Sequence, residues 1–152
     1  MMVIAIGCDH AGVELKVQIC GLLEREGIEV KDVGTHSKAS VDYPDYGAKA
    51  AEAVSKGLVD AAVLICGSGI GMSIVANKYK NVRAALCHDV YTAQMSRQHN
   101  NANVLVIGSR VAAVESAVEI LKTWLHTKYE GGRHEIRLQK ISKIEESLES
   151  KT

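Results

Sequence analysis

The sequence predicts a three-layer α/β domain of Rossmann-like topology. It expects a parallel five-stranded sheet with helices on both faces and a C-terminal helical extension. Three observations predict it. Short apolar runs alternate with longer amphipathic stretches along the chain. The runs Ala61–Cys66 and Val104–Gly108 are continuously apolar, as strands buried on both faces are. Strands of that kind separated by helices imply a parallel sheet with right-handed crossovers. At 152 residues the chain suits one domain, and it can bury about two-thirds of its unfolded surface without a disulfide staple.

Each element follows in order. Val3–Ile6 is the first strand. Residues 13–26 form a helix with Leu15, Ile19, Leu22 and Leu23 on one face and Gly27 as its stop. Glu29–Val33 is a second, more polar strand, and residues 34–43 form a loop. Pro44 opens a helix that runs through Ala48–Val54 to Gly57. Ala61–Cys66 is too short for an ordinary helix and ends in Gly67-Ser68-Gly69-Ile70-Gly71, where a helix begins and continues to about Tyr79. Arg83–Cys87 is the next strand, Val90–Asn100 the next helix, and Val104–Gly108 the last strand, followed by a helix over 112–129. After Gly131-Gly132, Ile136, Ile141, Ile144 and Leu148 recur close to helical spacing, and the polar end Glu145–Thr152 is expected to fray. There is no internal repeat, low-complexity tract or linker.

Composition excludes several function classes. Apolar residues make up 47%, which argues against wholesale disorder. No apolar run approaches the ~20 residues of a membrane span, and the start MMVIAIGCDH lacks a signal-peptide cleavage pattern, so a cytoplasmic protein with no membrane partner is expected. The formal net charge is zero, which argues against a general nucleic-acid binder. With five Tyr, one Trp and no Phe there is no stacking platform for single strands. The neutrality conceals a split. Residues 1–75 carry six Lys+Arg against ten Asp+Glu, and residues 76–152 carry twelve against eight.

In open α/β sheets, ligands bind beyond the carboxyl ends of the strands. Those ends carry Cys8-Asp9-His10, Cys66 with the glycine loop, Cys87-His88-Asp89 and Gly108-Ser109-Arg110. The glycine loop is the strongest local signal. Its backbone can turn tightly and present N–H groups at a helix start, which suits a phosphate or an oxyanion formed during reaction. It is neither G-x-G-x-x-G nor a P-loop nor G-x-S-x-G, and a tight turn without a ligand remains the alternative. Cys66 precedes the loop, and a helix N-terminus favours thiolate. Cys8, Cys20 and Cys87 read as small buried hydrophobes, with no C-x-x-C pair among the four cysteines. Cys8, His10, Cys66 and His88 show no recurring ligand spacing, so no metal is expected. Arg133 and Arg137 share a helix face, where they repel unless an anion, Glu130 or Glu135 relieves them.

Taken together, these residues resemble the type B ribose-5-phosphate isomerase family, which includes the galactose-6-phosphate isomerase subunits. The resemblance covers nearly the whole chain. It rests on Ile4-Ala5-Ile6-Gly7-Cys8-Asp9-His10-Ala11-Gly12, Asp42-Tyr43-Pro44-Asp45-Tyr46, Ile65-Cys66-Gly67-Ser68-Gly69-Ile70-Gly71-Met72, Arg97-Gln98-His99-Asn100-Asn101-Ala102-Asn103 and Gly131-Gly132-Arg133-His134. Several separated blocks in order are more specific than any one motif.

The resemblance implies that residues 1–152 are a single sugar-phosphate isomerase domain. It implies a homodimer, or a dimer of such dimers, with its active site at the subunit interface and no metal or cofactor. Cys66 matches the base that moves a proton between C1 and C2. Some relatives use instead a glutamate at the position of Met72. His99 matches the acid that opens the furanose ring. Ser68 stands where many relatives have threonine and keeps the catalytic hydroxyl. The backbone of Gly67, Ser68, Gly69, Ile70 and Gly71 matches the anion hole for the enediolate. Asp9, His10, Tyr43 and Asn100 match sugar-binding positions, and Arg110, Arg133 and Arg137 match substrate positions, the arginines and His10 holding the phosphate.

The implied reaction interconverts D-ribose 5-phosphate and D-ribulose 5-phosphate in the pentose phosphate pathway. It needs a base at the α-carbon and donors for the charge developing on oxygen. The alternatives are an allose or galactose 6-phosphate isomerase and a non-catalytic sugar-phosphate-binding protein. The last would need the loop and arginines but not Cys66 with His99.

Overall fold

The computed structural model describes residues 2–149. The strands are β1 (Val3–Cys8), β2 (Glu29–Gly34), β3 (Ala61–Cys66), β4 (Ala84–Leu86) and β5 (Val104–Gly108). The helices are α1 (Val13–Arg25), α2 (Tyr43–Ser55), α3 (Ile70–Ala76), α4 (Val90–Gln98), α5 (Val114–His126) and α6 (Arg133–Glu149), with a 3-10 turn at His10–Gly12. All strand pairings are parallel, in the order β2-β1-β3-β5-β4. The expected five-stranded α/β sheet is therefore present.

The alternation of side chains along each buried strand builds two cores. Ile4, Ile6, Val63, Ile65, Leu105 and Ile107 face α1 and α5, where Leu15, Ile19, Leu23, Ile120, Leu121 and Trp124 close over them. Ala5, Ala62, Leu64, Cys66, Val104 and Val106 face α2 and α3, meeting Ala50, Ala51, Val54, Met72 and Ala76. The small alanines on α2 let that helix lie close to the sheet, and apart from Trp124 the buried core is aliphatic, for the chain has no Phe.

The order of strand addition reverses between β1 and β3: β2 lies on one side of β1, and every later strand lies on the other. The register pairs Cys8 with Ile65 and Cys66 with Gly108. The carboxyl ends of β1, β3 and β5 thus stand in a row at the switch point, where open α/β sheets bind ligands.

Several expectations are corrected. The strand expected over Arg83–Cys87 shortens to Ala84–Leu86, because as an edge strand it pairs only with β5. The helix after the glycine loop ends at Ala76, and α5 covers 114–126 rather than 112–129. The C-terminal extension is helical through Glu149, so the expected fraying from Glu145 is not seen there; residues 150–152 lie outside the described residues. Its apolar stripe does not face the core. Ile136, Ile141, Ile144 and Leu148 are exposed, and only His134 and Leu138 are buried. Among the described residues no helix is long and apolar enough to cross a membrane.

Candidate active site

Cys66 ends β3 with only 5% of its surface exposed. The chain then turns through Gly67-Ser68-Gly69 into α3. Gly69 has φ +81°, and a Cβ there would collide with the Leu86 side chain and the Gly108 backbone, so only glycine fits. That conformation lets the Gly69 N–H donate to Cys66 Sγ at 3.2 Å. The sulfur thus accepts a backbone hydrogen bond from within the turn. The Ile70 N–H donates to Ser68 Oγ at 3.2 Å, and Ser68 itself is exposed.

The end of β5 ties down the loop. The Ser109 N–H donates to the Cys66 carbonyl at 2.9 Å and the Arg110 N–H to the Gly67 carbonyl at 3.0 Å. The Arg110 guanidinium lies across Gly67, 3.1 Å from where a Cβ would stand. Asp9 is buried at the end of β1, where its Oδ1 accepts from the Ala11 N–H at 2.9 Å. Tyr43, at the start of α2, lays its ring against Gly71, where any Cβ would overlap it. These groups enclose a cleft of ≈590 Å³. It is lined by Asp9, Tyr43, Cys66, Gly67, Ser68, Ile70, Gly71 and Arg110, with Ile74 and Val111 as apolar walls. The volume is that of a small-molecule site.

The other cysteines lie outside the cleft. Burial pushes the Cys8 and Cys20 thiols up to about 11 and raises Cys87 as well. Cys8 and Cys87 are buried as expected, whereas Cys20 is partly exposed. Met72 is fully buried, with its sulfur packed against Gly47 and not in the cleft.

The remaining predicted residues form a second group. His99 caps the end of α4, and its ring stacks on that of His134 at the start of α6. Asn100 is exposed and lines a separate cavity with Leu138, Ile141 and Glu145. Arg133 and Arg137 are exposed on α6, and Arg137 Nη1 donates to the Arg133 carbonyl at 3.0 Å. Glu130 and Glu135 do not relieve them, for Glu130 faces His134 and Glu135 accepts from the Tyr129 hydroxyl. None of these four residues lines the Cys66 cleft. His10 sits one residue from Asp9 with its Nδ1 accepting from the Val41 N–H at 3.2 Å, so any proton on a neutral ring is on Nε2.

His99, Glu130 and His134 bring their ligand-type atoms within 4.8 Å of one another. The two rings are stacked with planes 13° apart, so their in-plane lone pairs run side by side. A zinc ion ~2.0–2.1 Å from both nitrogens needs them to converge. The arrangement suits ring packing, not coordination.

A family model described as Ribose/Galactose Isomerase matches residues 4–141. The chain belongs to the ribose/galactose isomerase family. It is 50% identical over 146 residues to ribose-5-phosphate isomerase B of Escherichia coli K12, covering 96% of this chain and 98% of that one. It is 42% identical to the D-erythrulose-4-phosphate isomerase of Pectobacterium atrosepticum, over 95% and 96% of the two chains. The solved structure of Clostridium thermocellum ribose-5-phosphate isomerase B superposes with a TM-score of 0.95 at 50% identity, covering 97% of this chain and 99% of that one. As a member of this family the chain is an aldose–ketose isomerase.

Sequence reasoning missed three contributors. Ile74 and Val111 wall the cleft while exposed, so no core pattern marks them. Lys16 is buried at 3% exposure. It pairs with Asp32 at 2.9 Å and donates to the Thr35 carbonyl at 2.6 Å, pinning the segment that leads to Tyr43. A lone Lys on an amphipathic helix carries no signal of that role.

Proposed function

We propose that this isomerase interconverts D-ribose 5-phosphate and D-ribulose 5-phosphate through an enediolate, as the pentose phosphate pathway requires. The observation that carries the reading is Cys66 at the floor of the cleft with the Gly69 N–H on its sulfur. In the aldose-to-ketose direction the Cys66 thiolate takes the C2 proton. Backbone N–H groups of the Gly67–Gly71 turn stabilise the charge that moves onto oxygen, and the thiol returns the proton to C1. The exposed Ser68 hydroxyl serves the sugar oxygens. Asp9, His10 and Tyr43 orient the chain of hydroxyls, and Arg110 meets the anionic substrate. C2 is oxidised as C1 is reduced and the O2 hydroxyl proton passes to O1, so the reaction balances within the substrate and needs no outside oxidant or reductant.

His99, Asn100, Arg133 and Arg137 complete the reaction from a second subunit. His99 protonates the ring oxygen to open the furanose, Asn100 binds the sugar, and the arginines with His10 hold the phosphate. Two features support a homodimer. These four side chains lie outside the cleft of their own chain, and exposed Ile70, Ile74 and Val111 stand beside the cleft while α6 exposes its apolar stripe. In this reading residues 1–152 act as a single domain. A cytoplasmic setting agrees with four free thiols.

The Pectobacterium relative is named for a four-carbon sugar phosphate, so chain length is the open variable within the family. Assaying ribose 5-phosphate beside erythrulose, allose and galactose 6-position or terminal phosphates tests the choice. The reading expects the highest kcat/KM on ribose 5-phosphate. A higher value on a hexose phosphate would replace it, and binding without turnover on any sugar would leave only a sugar-phosphate-binding protein.

A further inference from the structure

The amino ends of the strands carry a second polar cavity, of ≈290 Å³, lined among others by Asp60, Arg83, Arg97, Asn101, Asn103 and Trp124. It opens beside Ala61, at the other end of β3 from Cys66, roughly 17 Å away at ~3.3 Å per residue.

Two guanidinium groups converge there on one residue. Arg83 Nε donates to the Asn101 carbonyl at 3.0 Å. Arg97 Nη1 donates to Asn101 Oδ1 at 3.0 Å and to the Ala102 carbonyl at 2.6 Å. Asn101 holds this position with φ +45°, in the left-handed region that non-glycine residues seldom adopt. Burial lowers the Arg97 pKa, and the neighbouring Arg83 charge lowers it further. No carboxylate among the described residues lies within 4.0 Å of either arginine. Asp60 is the one carboxylate on the wall, and its Oδ2 accepts from the Val3 N–H. A guanidinium carries five N–H donors, so most of those on this pair are left without a protein acceptor.

Trp124 closes one side of the cavity. It is 4% exposed, and the Arg97 guanidinium lies 5.8 Å from its ring centroid. Its Nε1–H is buried and has no hydrogen-bond acceptor among the described residues. The ring thus forms a packed wall of the cavity, with its Nε1–H screened from the space between the arginines.

We propose that this cavity binds a small tetrahedral oxyanion of the phosphate class, held between Arg83 and Arg97 beside the Trp124 ring. Guanidinium forks match phosphate oxygens bidentately, and an anion between them turns their mutual repulsion into attraction. The volume holds a phosphate group with room beside it. The group can arrive as inorganic phosphate or as the phosphoryl end of a sugar phosphate that projects outward.

Trp124 is the only tryptophan in the chain, so its indole N–H resonance reports this cavity alone. The experiment titrates the intact protein with inorganic phosphate, with ribose 5-phosphate, and with chloride at matched ionic strength. Expected is a saturable indole shift with phosphate beyond that with chloride, persisting in Arg110→Gln and weakened at least about tenfold in Arg83→Gln. Arg83→Lys, which keeps the charge and loses the fork, covers the case in which Arg83→Gln does not fold. A response to phosphate alone identifies the free ion as ligand. A further response to ribose 5-phosphate in Arg110→Gln extends it to phosphoryl groups. If phosphate moves the indole no more than chloride does, or if the Arg83 variants respond as the wild type does, the proposal is overturned.

Discussion

His99 and His134 stack face to face, with ring centroids 4.2 Å apart and planes 13° apart. One ring ends α4 and the other begins α6, so the stack is the joint between the body of the fold and its C-terminal helix. His134 is the buried member. Burial first, then the charges of His99, Arg133 and Arg137, hold its pKa below its ordinary 6.5, with Glu130 opposing them.

That depression has a signed consequence. The unfolded chain binds a proton at His134 more readily than the folded one does. The stability this site contributes is therefore present above pH 6.5 and lost as pH falls through the lower folded value. His134→Phe keeps a ring in the stack and removes the titration. Its Tm should fall less than that of the wild type between about pH 8 and about pH 5. Parallel falls in the two proteins would remove His134 from the pH dependence.

Gly71 and Tyr43 make a second coupled pair. A methyl group at Gly71 would overlap the Tyr43 ring, and Tyr43 is 37% exposed, so the methyl is expected to turn the ring toward solvent. Gly71→Ala should raise KM as Tyr43→Ala does, and the double variant should be no worse than either single one. The unfolding free energy from urea titration should change by less than about 1 kcal/mol. Additive losses in the double variant would show that Gly71 acts through the backbone and not through Tyr43.

A site shared between subunits makes a quantitative prediction for mixtures. Cys66→Ala and His99→Asn are each expected to be inactive alone. Refolded together in equal amounts, half the dimers are mixed, and each has one site free of both substitutions. About one quarter of the wild-type activity should return. If Cys66 and His99 serve the same site from one chain, mixing restores nothing.

Much of this was legible in the sequence, and the reasons differ from element to element. β1, β3 and β5 show as continuous apolar runs because both faces of each are buried. β4 was overextended because Arg83 and Cys87 flank an apolar trio, and only pairing on one side limits it. The period of α6 was readable, but the direction of its stripe was not, since periodicity says which residues share a face and not what that face meets. Cys66 and its glycines are adjacent in the chain, so their chemistry could be read locally. His134 under His99, Lys16 under Thr35, and Trp124 beside Arg97 are joined only by the fold. Nothing in the spacing of those residues brings them together.

In the proposed mechanism Cys66 carries the proton between C1 and C2. The most direct test is kcat of Cys66→Ala on ribose 5-phosphate, with circular dichroism confirming the fold. Losing a positioned general base should reduce kcat by at least ~10²-fold, with KM little changed because the arginines and Asp9 remain. Turnover near the wild-type rate in a folded Cys66→Ala protein would contradict the account.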